Sequence, residues 1–260
     1  MTDPTAPAAA VGVSVDSWGA LRRHTAARIA LGRSGASLPT RAALEFELAH
    51  AQARDAVLTP LDAGALCAAL EADGWTTLRV HSRAPDRAAY LARPDWGRRL
   101  DADSATALVA PADPPDLVLV LSDGLSAVAL QRHAPPLLRA LRPLLPAGLR
   151  LGPLVVATQA RVALADEVAE RLGARVAVSV IGERPGLSSP DSLGLYLTYE
   201  PRVGRHDAER NCISNIRPQG LACEAAAQQL AALLQAALNL RCSGVALRFD
   251  PAQALPGPSL

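Results

Sequence analysis

The chain has 260 residues, of which 50% are hydrophobic and 3% aromatic, and its formal net charge is +1. This composition supports a core built from Leu, Ala and Val, and the near-neutral charge excludes the strongly basic surface typical of nucleic-acid binding. Lys is absent, which excludes Schiff-base and lysine-base chemistry. The apolar runs, such as residues 117–121, are too short to span a membrane, so we expect a soluble, cytoplasmic protein.

The cysteines and histidines form no pattern that suggests a metal site. There are four cysteines without a C-x-x-C pair and five scattered histidines, none of them near a carboxylate at ligand spacing. We therefore expect no metal site and free thiols in a reducing compartment. The cysteines are Cys67, Cys212, Cys223 and Cys242.

The first hundred residues carry the pattern of a short tail followed by helices. Residues 1–17 are small, aperiodic and rich in Pro and Ala, which predicts a mobile tail. Apolar residues then recur at helical spacing from residue 18, from Thr40 to about residue 57, and over residues 61–73. We expect residues 18–100 to form an N-terminal helical region.

From residue 101 onward the pattern alternates between strands and helices. The predicted strands cover residues 117–121, 154–157, 176–181 and 195–199, and the predicted helices cover residues 127–133, 135–145, 162–172 and 221–241. Strand–helix–strand alternation at this spacing predicts an α/β fold, with a Rossmann-like parallel sheet in a domain over residues 101–260.

Structurally restricted residues are concentrated between Val176 and Gly220. A β-branched strand breaks at residue 182 into Gly-Glu-Arg-Pro-Gly, and a second strand leads to the polar residues 211–220. Buried strands that end in polar loops fixed by Gly and Pro are where α/β proteins place ligands. We therefore predict a binding site in this stretch.

Each polar group in these loops also has a simpler explanation. Residues 122–126 fit either a ligand-binding edge or an ordinary strand–helix turn, in which Asp123 or Ser122 caps the helix. Glu183 could bind a ligand's donors or pair with an arginine, and Cys212 fits a small buried hydrophobe. The sequence has no G-x-S-x-G, G-x-G-x-x-G or P-loop motif, so its residues alone place no catalytic group.

Five segments of the chain carry a recognisable pattern: residues 21–35, 90–99, 122–126, 182–187 and 211–216. Taken together, they resemble the small (light) subunit of ethanolamine ammonia-lyase over about residues 18–248. The resemblance implies an adenosylcobalamin-dependent enzyme that converts ethanolamine to acetaldehyde and ammonia. It implies that a large subunit carries substrate and radical chemistry, while the small subunit binds cobalamin at their interface with its dimethylbenzimidazole still on cobalt.

The same resemblance implies three cofactor contacts in this chain. They are Val162, the glutamate of Gly-Glu-Arg-Pro-Gly (Glu183) and the cysteine of Cys-Ile-Ser-Asn (Cys212). We expect Val162 to contact the cofactor through backbone groups or packing, and Glu183 to accept a hydrogen bond from an amide on the corrin side. We expect Cys212 to pack against the cofactor or to contact it through its backbone. The absence of a D-x-H-x-x-G motif agrees with base-on binding, and no catalytic or metal-ligating residue is expected here.

The sequence departs from this family in two places. Some relatives carry a long N-terminal extension that directs the enzyme to a bacterial microcompartment, whereas a short Pro/Ala tail precedes Trp18 here. The segment between Pro201 and Asn211 is also one residue shorter than in some relatives.

The rival interpretation is a non-catalytic nucleotide- or cofactor-binding module with a regulatory or scaffolding role.

Overall fold

The computed structural model describes residues 12–247, so most of the predicted tail, residues 1–11, lies outside the described residues. The chain divides into two compact units. The smaller unit contains the described residues up to Asp55 together with Gly186–Ser189. The larger unit contains Ala56–Pro185 and the described residues from Pro190 onward.

The smaller unit contains a 3₁₀ helix, Ser17–His24, and most of helix α1, Thr40–Leu58. The carboxylate of Asp16 caps the 3₁₀ helix by accepting the N–H of Trp18 at 2.9 Å. The helical pattern predicted from residue 18 to Gly32 thus ends at His24. None of the 3₁₀ residues is buried, and a short helix without a buried face gains too little to extend. The start of α1 at Thr40 is confirmed.

The larger unit contains six more α-helices and six strands among the described residues. The helices are α2 (Ala63–Ala72), α3 (Arg87–Ala92), α4 (Ala102–Ala107), α5 (Ala127–Leu141), α6 (Leu164–Arg171) and α7 (Cys223–Leu240). The strands are β1 (Thr77–His81), β2 (Leu117–Ser122), β3 (Leu154–Thr158), β4 (Val176–Gly182), β5 (Leu193–Tyr199) and β6 (Arg210–Ile216).

The six strands form one mixed sheet in the order β1-β3-β2-β4-β5-β6. The strands β1, β3, β2 and β4 are parallel, and β5 and β6 are antiparallel to their neighbours. The predicted α/β class is confirmed, but the sheet is not parallel throughout. The link from Gly182 to Leu193 has about ten residues and no helix, which is too short for the crossover that a parallel partner needs.

Strand β1 lies in the stretch that the sequence pattern predicted to be mostly helical, and no strand was predicted there. It pairs with β3, with Thr77 opposite Leu154, at one edge of the sheet. Its side chains do not alternate between buried and exposed, and Leu78 is exposed. An edge strand without alternation leaves little periodic signal in the sequence.

Helix α5 is a single helix, although its two prolines predicted a break. Pro135 and Pro136 lie inside it, and each removes one backbone hydrogen bond. The residues that follow, Leu137, Leu138 and Leu141, are at most 1% exposed. Burial of this apolar face offsets the lost hydrogen bonds.

Helices cover both faces of the sheet. Along β2, Leu119 and Leu121 pack with α5 and α7, and Val118 and Val120 pack with α6 on the other face. Every residue of β2 and β4 is buried, as expected for strands covered on both faces. This packing makes the carboxyl ends of the central strands a rigid platform for the loops that follow them.

Candidate functional site

A cleft of about 400 Å³ opens at the carboxyl end of β4. Two of the three predicted cofactor contacts, Val162 and Glu183, line it. The third, Cys212, is not among the lining residues; it lies opposite Tyr196 on the neighbouring strand, and Tyr196 lines the cleft. The structure therefore brings two of the three into the cleft and places the third beside one of its lining residues. The lining residues are Tyr90, Leu125, Arg161, Val162, Ile181, Gly182, Glu183, Arg184 and Tyr196.

The carboxylate of Glu183 is fixed by two donors. The Ser192 hydroxyl and the Asn215 backbone N–H, the latter at 3.2 Å, both donate to Oε2. The Glu183 backbone is also held, because its N–H donates to the Ser192 carbonyl at 2.9 Å. With Oε2 engaged, Oε1 is the oxygen that can accept from a ligand.

Two glycines bring the loop after β2 against the end of β4. Gly124 has a φ of +55°, and a Cβ there would lie 2.2 Å from the Gly182 carbonyl oxygen. The next residue, Leu125, donates its N–H to that oxygen at 3.0 Å. Only glycine permits this approach without displacing backbone. The approach places Leu125 in the wall of the cleft.

The loop that carries Val162 is held by a buried carboxylate. Asp123, which is 2% exposed, accepts the N–H groups of Gln159 and Ala160, both at 2.9 Å. Burial raises the pKa of Asp123, and these two hydrogen bonds stabilise its charged form. Neither Asp123 nor Ser122 caps α5, which was one possibility left open by the sequence, because the Ser126 hydroxyl caps that helix.

A buried aromatic ring supports the residue before Val162. The ring of Tyr90 lies between two guanidinium groups, with Arg87 4.7 Å and Arg161 4.3 Å from its centroid. The Tyr90 hydroxyl donates to the carbonyl of Ala160 at 3.2 Å. Stacked cation–π contacts of this kind restrict the arginine side chains. Tyr90 thus fixes Arg161 and the start of the turn that contains Val162.

Sequence reasoning did not single out Tyr90, Arg161 or Tyr196 as site residues. Tyr90 and Arg161 meet through contacts between residues far apart in sequence, which leave no periodic pattern. The one available signal was indirect: Tyr90 begins a segment that resembles the ethanolamine ammonia-lyase light subunit, and Arg161 directly precedes Val162.

Cys212 is not activated as a nucleophile. The residue is exposed, so the interpretation of Cys212 as a small buried hydrophobe is wrong, but desolvation still raises the pKa of its thiol. The Tyr196 hydroxyl, on the residue opposite Cys212 in the sheet, also has a raised pKa because of burial. A neutral thiol is a weak nucleophile, so Cys212 is suited to packing and not to nucleophilic attack.

Within residues 12–247, which are the residues that the structure describes, no group of His, Cys, Asp and Glu side chains is arranged to hold a metal ion. No helix in that range is both long and apolar enough to cross a membrane.

Comparison with known proteins shows the family. The model for the ethanolamine ammonia-lyase light chain (EutC) matches residues 15–248, a range that contains the whole cleft. The chain belongs to this family. It is a light chain, the small subunit of a lyase whose catalytic subunit is the large one, and the family is cobalamin-dependent.

Individual relatives are similar over nearly their whole length. The small subunit of ethanolamine ammonia-lyase from Ralstonia nicotianae is 57% identical over 241 residues, which cover 91% of this chain and 89% of the relative. The corresponding subunit from Azotobacter vinelandii is 54% identical, with 92% and 93% covered. That from Bradyrhizobium diazoefficiens is 53% identical, with 91% and 92% covered.

Proposed function

We propose that this light chain binds adenosylcobalamin in the cleft at the carboxyl end of β4, at its interface with the large subunit. The complex would convert ethanolamine to acetaldehyde and ammonia. The observation that carries the proposal is the meeting of Val162 and Glu183 in one cleft, with Cys212 opposite a lining residue, Tyr196, on the neighbouring strand.

The residues of the cleft fit one side of a corrinoid. A corrin ring carries amide side chains around its rim, and a fixed carboxylate is a strong acceptor for amide N–H donors. Glu183 offers such a carboxylate, and Ile181 and Val162 beside it offer apolar contact. A volume of about 400 Å³ is far too small to enclose a whole cobalamin. A partner that covers the remaining surface of the cofactor is therefore part of the proposal.

When bound, the cofactor supplies the radical chemistry. The residues of this chain bind and orient it. Glu183 accepts a hydrogen bond from a rim amide, the turn at Val162 offers backbone groups or packing, and Cys212 with Tyr196 packs against the ligand. The neutral Cys212 thiol takes no part in bond breaking, which agrees with a substrate site in the large subunit.

Base-on binding is the coordination we propose for the cobalt. Within the described residues, no histidine lines the cleft, so the cleft offers no imidazole to replace the cofactor's dimethylbenzimidazole. The absence of D-x-H-x-x-G from the sequence supports the same state.

We propose a cytoplasmic enzyme without a nucleic-acid or membrane partner, since the net charge is +1 and the sequence offers no basic patch. Residues 1–17 are the segment in which we propose to test for a signal that directs the enzyme to a bacterial microcompartment. Comparing the sedimentation of the full chain with that of a chain lacking this segment, in cells that make the shell, tests that location.

Reconstitution tests the proposed function. The chain is mixed with the large subunit, cyanocobalamin binding is followed by absorption spectroscopy, and acetaldehyde release is measured with adenosylcobalamin and ethanolamine. We expect tight cobalamin binding and turnover only when both subunits are present. Tight binding by this chain alone, with no effect of the large subunit on binding or turnover, would favour the rival regulatory or scaffolding module.

A further inference from the structure

We infer that the buried ion pair between Asp166 and Arg210 is a positioning device for the cleft. It fixes the turn that carries Val162 relative to the strand that carries Cys212. The inference rests on the proposed function, because it takes both Val162 and Cys212 as cofactor contacts.

The two side chains meet in a buried and well-defined geometry. Arg210 Nη1 donates to Asp166 Oδ1 at 2.7 Å, and Arg210 Nη2 lies 2.7 Å from Asp166 Oδ2. The Arg210 side chain is 2% exposed and that of Asp166 is 1% exposed. The hydrogen bond at Oδ1 and the short ionic contact at Oδ2 together restrict the orientation of the two groups as well as their distance.

The other donors of Arg210 are also engaged. Nη1 donates to the Thr198 hydroxyl and Nη2 to the Arg205 carbonyl, both at 2.9 Å. Nε donates to the Asp207 carboxylate at 3.5 Å. A rotation of this side chain would leave a buried charge without partners, which costs several kcal/mol. The guanidinium is therefore held in one orientation.

Asp166 is coupled to Val162 through the backbone. It lies four residues further along the chain, and the first hydrogen bonds at the start of α6 connect the two. The Ala165 N–H donates to the Val162 carbonyl at 3.2 Å, and the Asp166 N–H donates to that of Ala163 at 3.3 Å. Any shift of Asp166 is therefore passed to the turn at Val162.

Arg210 is also close to Cys212. It begins β6 and lies two residues before Cys212, so both side chains point to the same face of the sheet. β6 is at the edge of the sheet and pairs with β5, in regular register from Arg210 to Ile213 and irregularly only beyond Ile213. An edge strand has a hydrogen-bonded neighbour on one side only, so the contact of Arg210 with α6 adds a second constraint on the position of this part of the strand.

A purely structural role is the alternative, and it makes a different prediction. Breaking a buried ion pair by removal of one partner destabilises a protein wherever the pair lies. Loss of stability alone would therefore not distinguish the two roles. A positioning role predicts in addition a lower affinity for the cofactor, with no change in the KM for ethanolamine.

The test uses the complex with the large subunit and cyanocobalamin as the probe. The variants are Asp166→Asn and Arg210→Lys, and the matched control is Asp116→Asn. Asp116 also pairs with arginines, but it lies at the amino end of β2, away from the cleft. We expect all three to lower Tm. Only the first two should raise the cyanocobalamin concentration for half-saturation, by about tenfold. The KM for ethanolamine, measured separately with adenosylcobalamin, should be unchanged.

The outcomes separate this inference from the proposed function. If Asp166→Asn and Arg210→Lys bind cyanocobalamin as the unaltered complex does, the pair is structural only and the inference is wrong. If the unaltered complex itself does not bind cyanocobalamin, the proposed function fails instead. Should either variant not assemble, Thr198→Val removes one acceptor of Arg210 and keeps the ion pair. A smaller rise in half-saturation supports positioning, and an unchanged value overturns it.

Discussion

The carboxylate of Glu183 accepts a hydrogen bond from the backbone N–H of Asn215, 32 residues further along the chain, at 3.2 Å. This bond joins the end of β4 to the edge strand β6. The Ser192 hydroxyl donates to the same oxygen. Glu183 therefore links the Gly-Glu-Arg-Pro-Gly loop to the segment that contains Cys212, and it is oriented before any ligand arrives.

Replacement of Glu183 by Ala is expected to weaken cofactor binding. The variant loses an acceptor for a rim amide and leaves the Asn215 N–H without its partner. A hydrogen bond to a charged group contributes about 1.5–3 kcal/mol, so half-saturation of the complex with adenosylcobalamin should rise at least about tenfold. The KM for ethanolamine should not change. Both values come from acetaldehyde release in the reconstituted complex.

The control for this change is Glu183→Gln. It keeps the shape and one carbonyl acceptor but removes the charge, so its effect should be smaller than that of Ala. A raised KM for ethanolamine with an unchanged cofactor requirement would contradict the role given to Glu183.

Gly182→Ala is expected to destabilise the fold. A Cβ at this position would lie 2.0 Å from the Ser126 carbonyl oxygen and 2.7 Å from that of Asp123, both of which are backbone atoms. Separating the loop from β4 should lower the free energy of unfolding by about 3 kcal/mol. Urea unfolding followed by circular dichroism measures the change.

Gly64→Ala provides the contrast. Gly64 lies in α2, and the nearest atom to an added Cβ is an Asp62 side-chain oxygen at 3.5 Å. Alanine has a higher helix propensity than glycine, so the free energy of unfolding of this variant should rise by up to about 1 kcal/mol. Equal stability of the two variants would show that the close approach at Gly182 is not needed.

Asp116 is expected to contribute a stability that disappears in acid. Its carboxylate accepts from Arg150 and Arg175, chiefly Arg150, which lowers its pKa from 3.8 to about 2. The folded state thus holds this group ionised at a pH where the unfolded chain binds a proton. Its contribution is complete above about pH 4 and is lost as the pH falls toward about 2.

The measurement compares Asp116→Asn with the unaltered chain by urea unfolding at several pH values. We expect the variant to be less stable at pH 7 and the difference to shrink below about pH 4. A difference that stays constant down to about pH 3 would mean that the ionised carboxylate is not the source of the effect.

Tyr90 is expected to act mainly through its ring. Tyr90→Phe loses the hydrogen bond to Ala160 and keeps both stacked guanidinium groups, so it should cost about 1 kcal/mol of stability. Tyr90→Leu also loses the contacts with Arg87 and Arg161 and should cost about 3 kcal/mol. Urea unfolding gives both values.

Cyanocobalamin titration of the complex provides a second readout for Tyr90. The Leu variant should bind more weakly than the Phe variant, because Tyr90 and Arg161 both line the cleft. Equal stability and equal affinity of the two variants would show that the stacked ring does not support the site.

Sequence patterns that report local burial were dependable for the central strands. Helical spacing also located α1, although its apolar residues Leu44 and Leu48 are exposed. The unbroken β-branched and apolar runs at β2 and β4 correspond to strands buried on both faces. The break after Gly182 was also visible, because Gly and Pro restrict the backbone locally. The positions of Val162, Glu183 and Cys212 came from resemblance to the light-chain family, and their roles stay predictions.

What the sequence by itself determined was therefore the α/β class, the central strands and the family. The tertiary structure decided which distant residues meet: Asp123 with Ala160, Tyr90 with Arg161, and Asp166 with Arg210, which lie 37, 71 and 44 positions apart. It also decided the antiparallel edge of the sheet and the strand β1. The physical reason is that periodicity records whether one side chain is buried, whereas pairing across the sheet and between loops depends on the path of the whole chain.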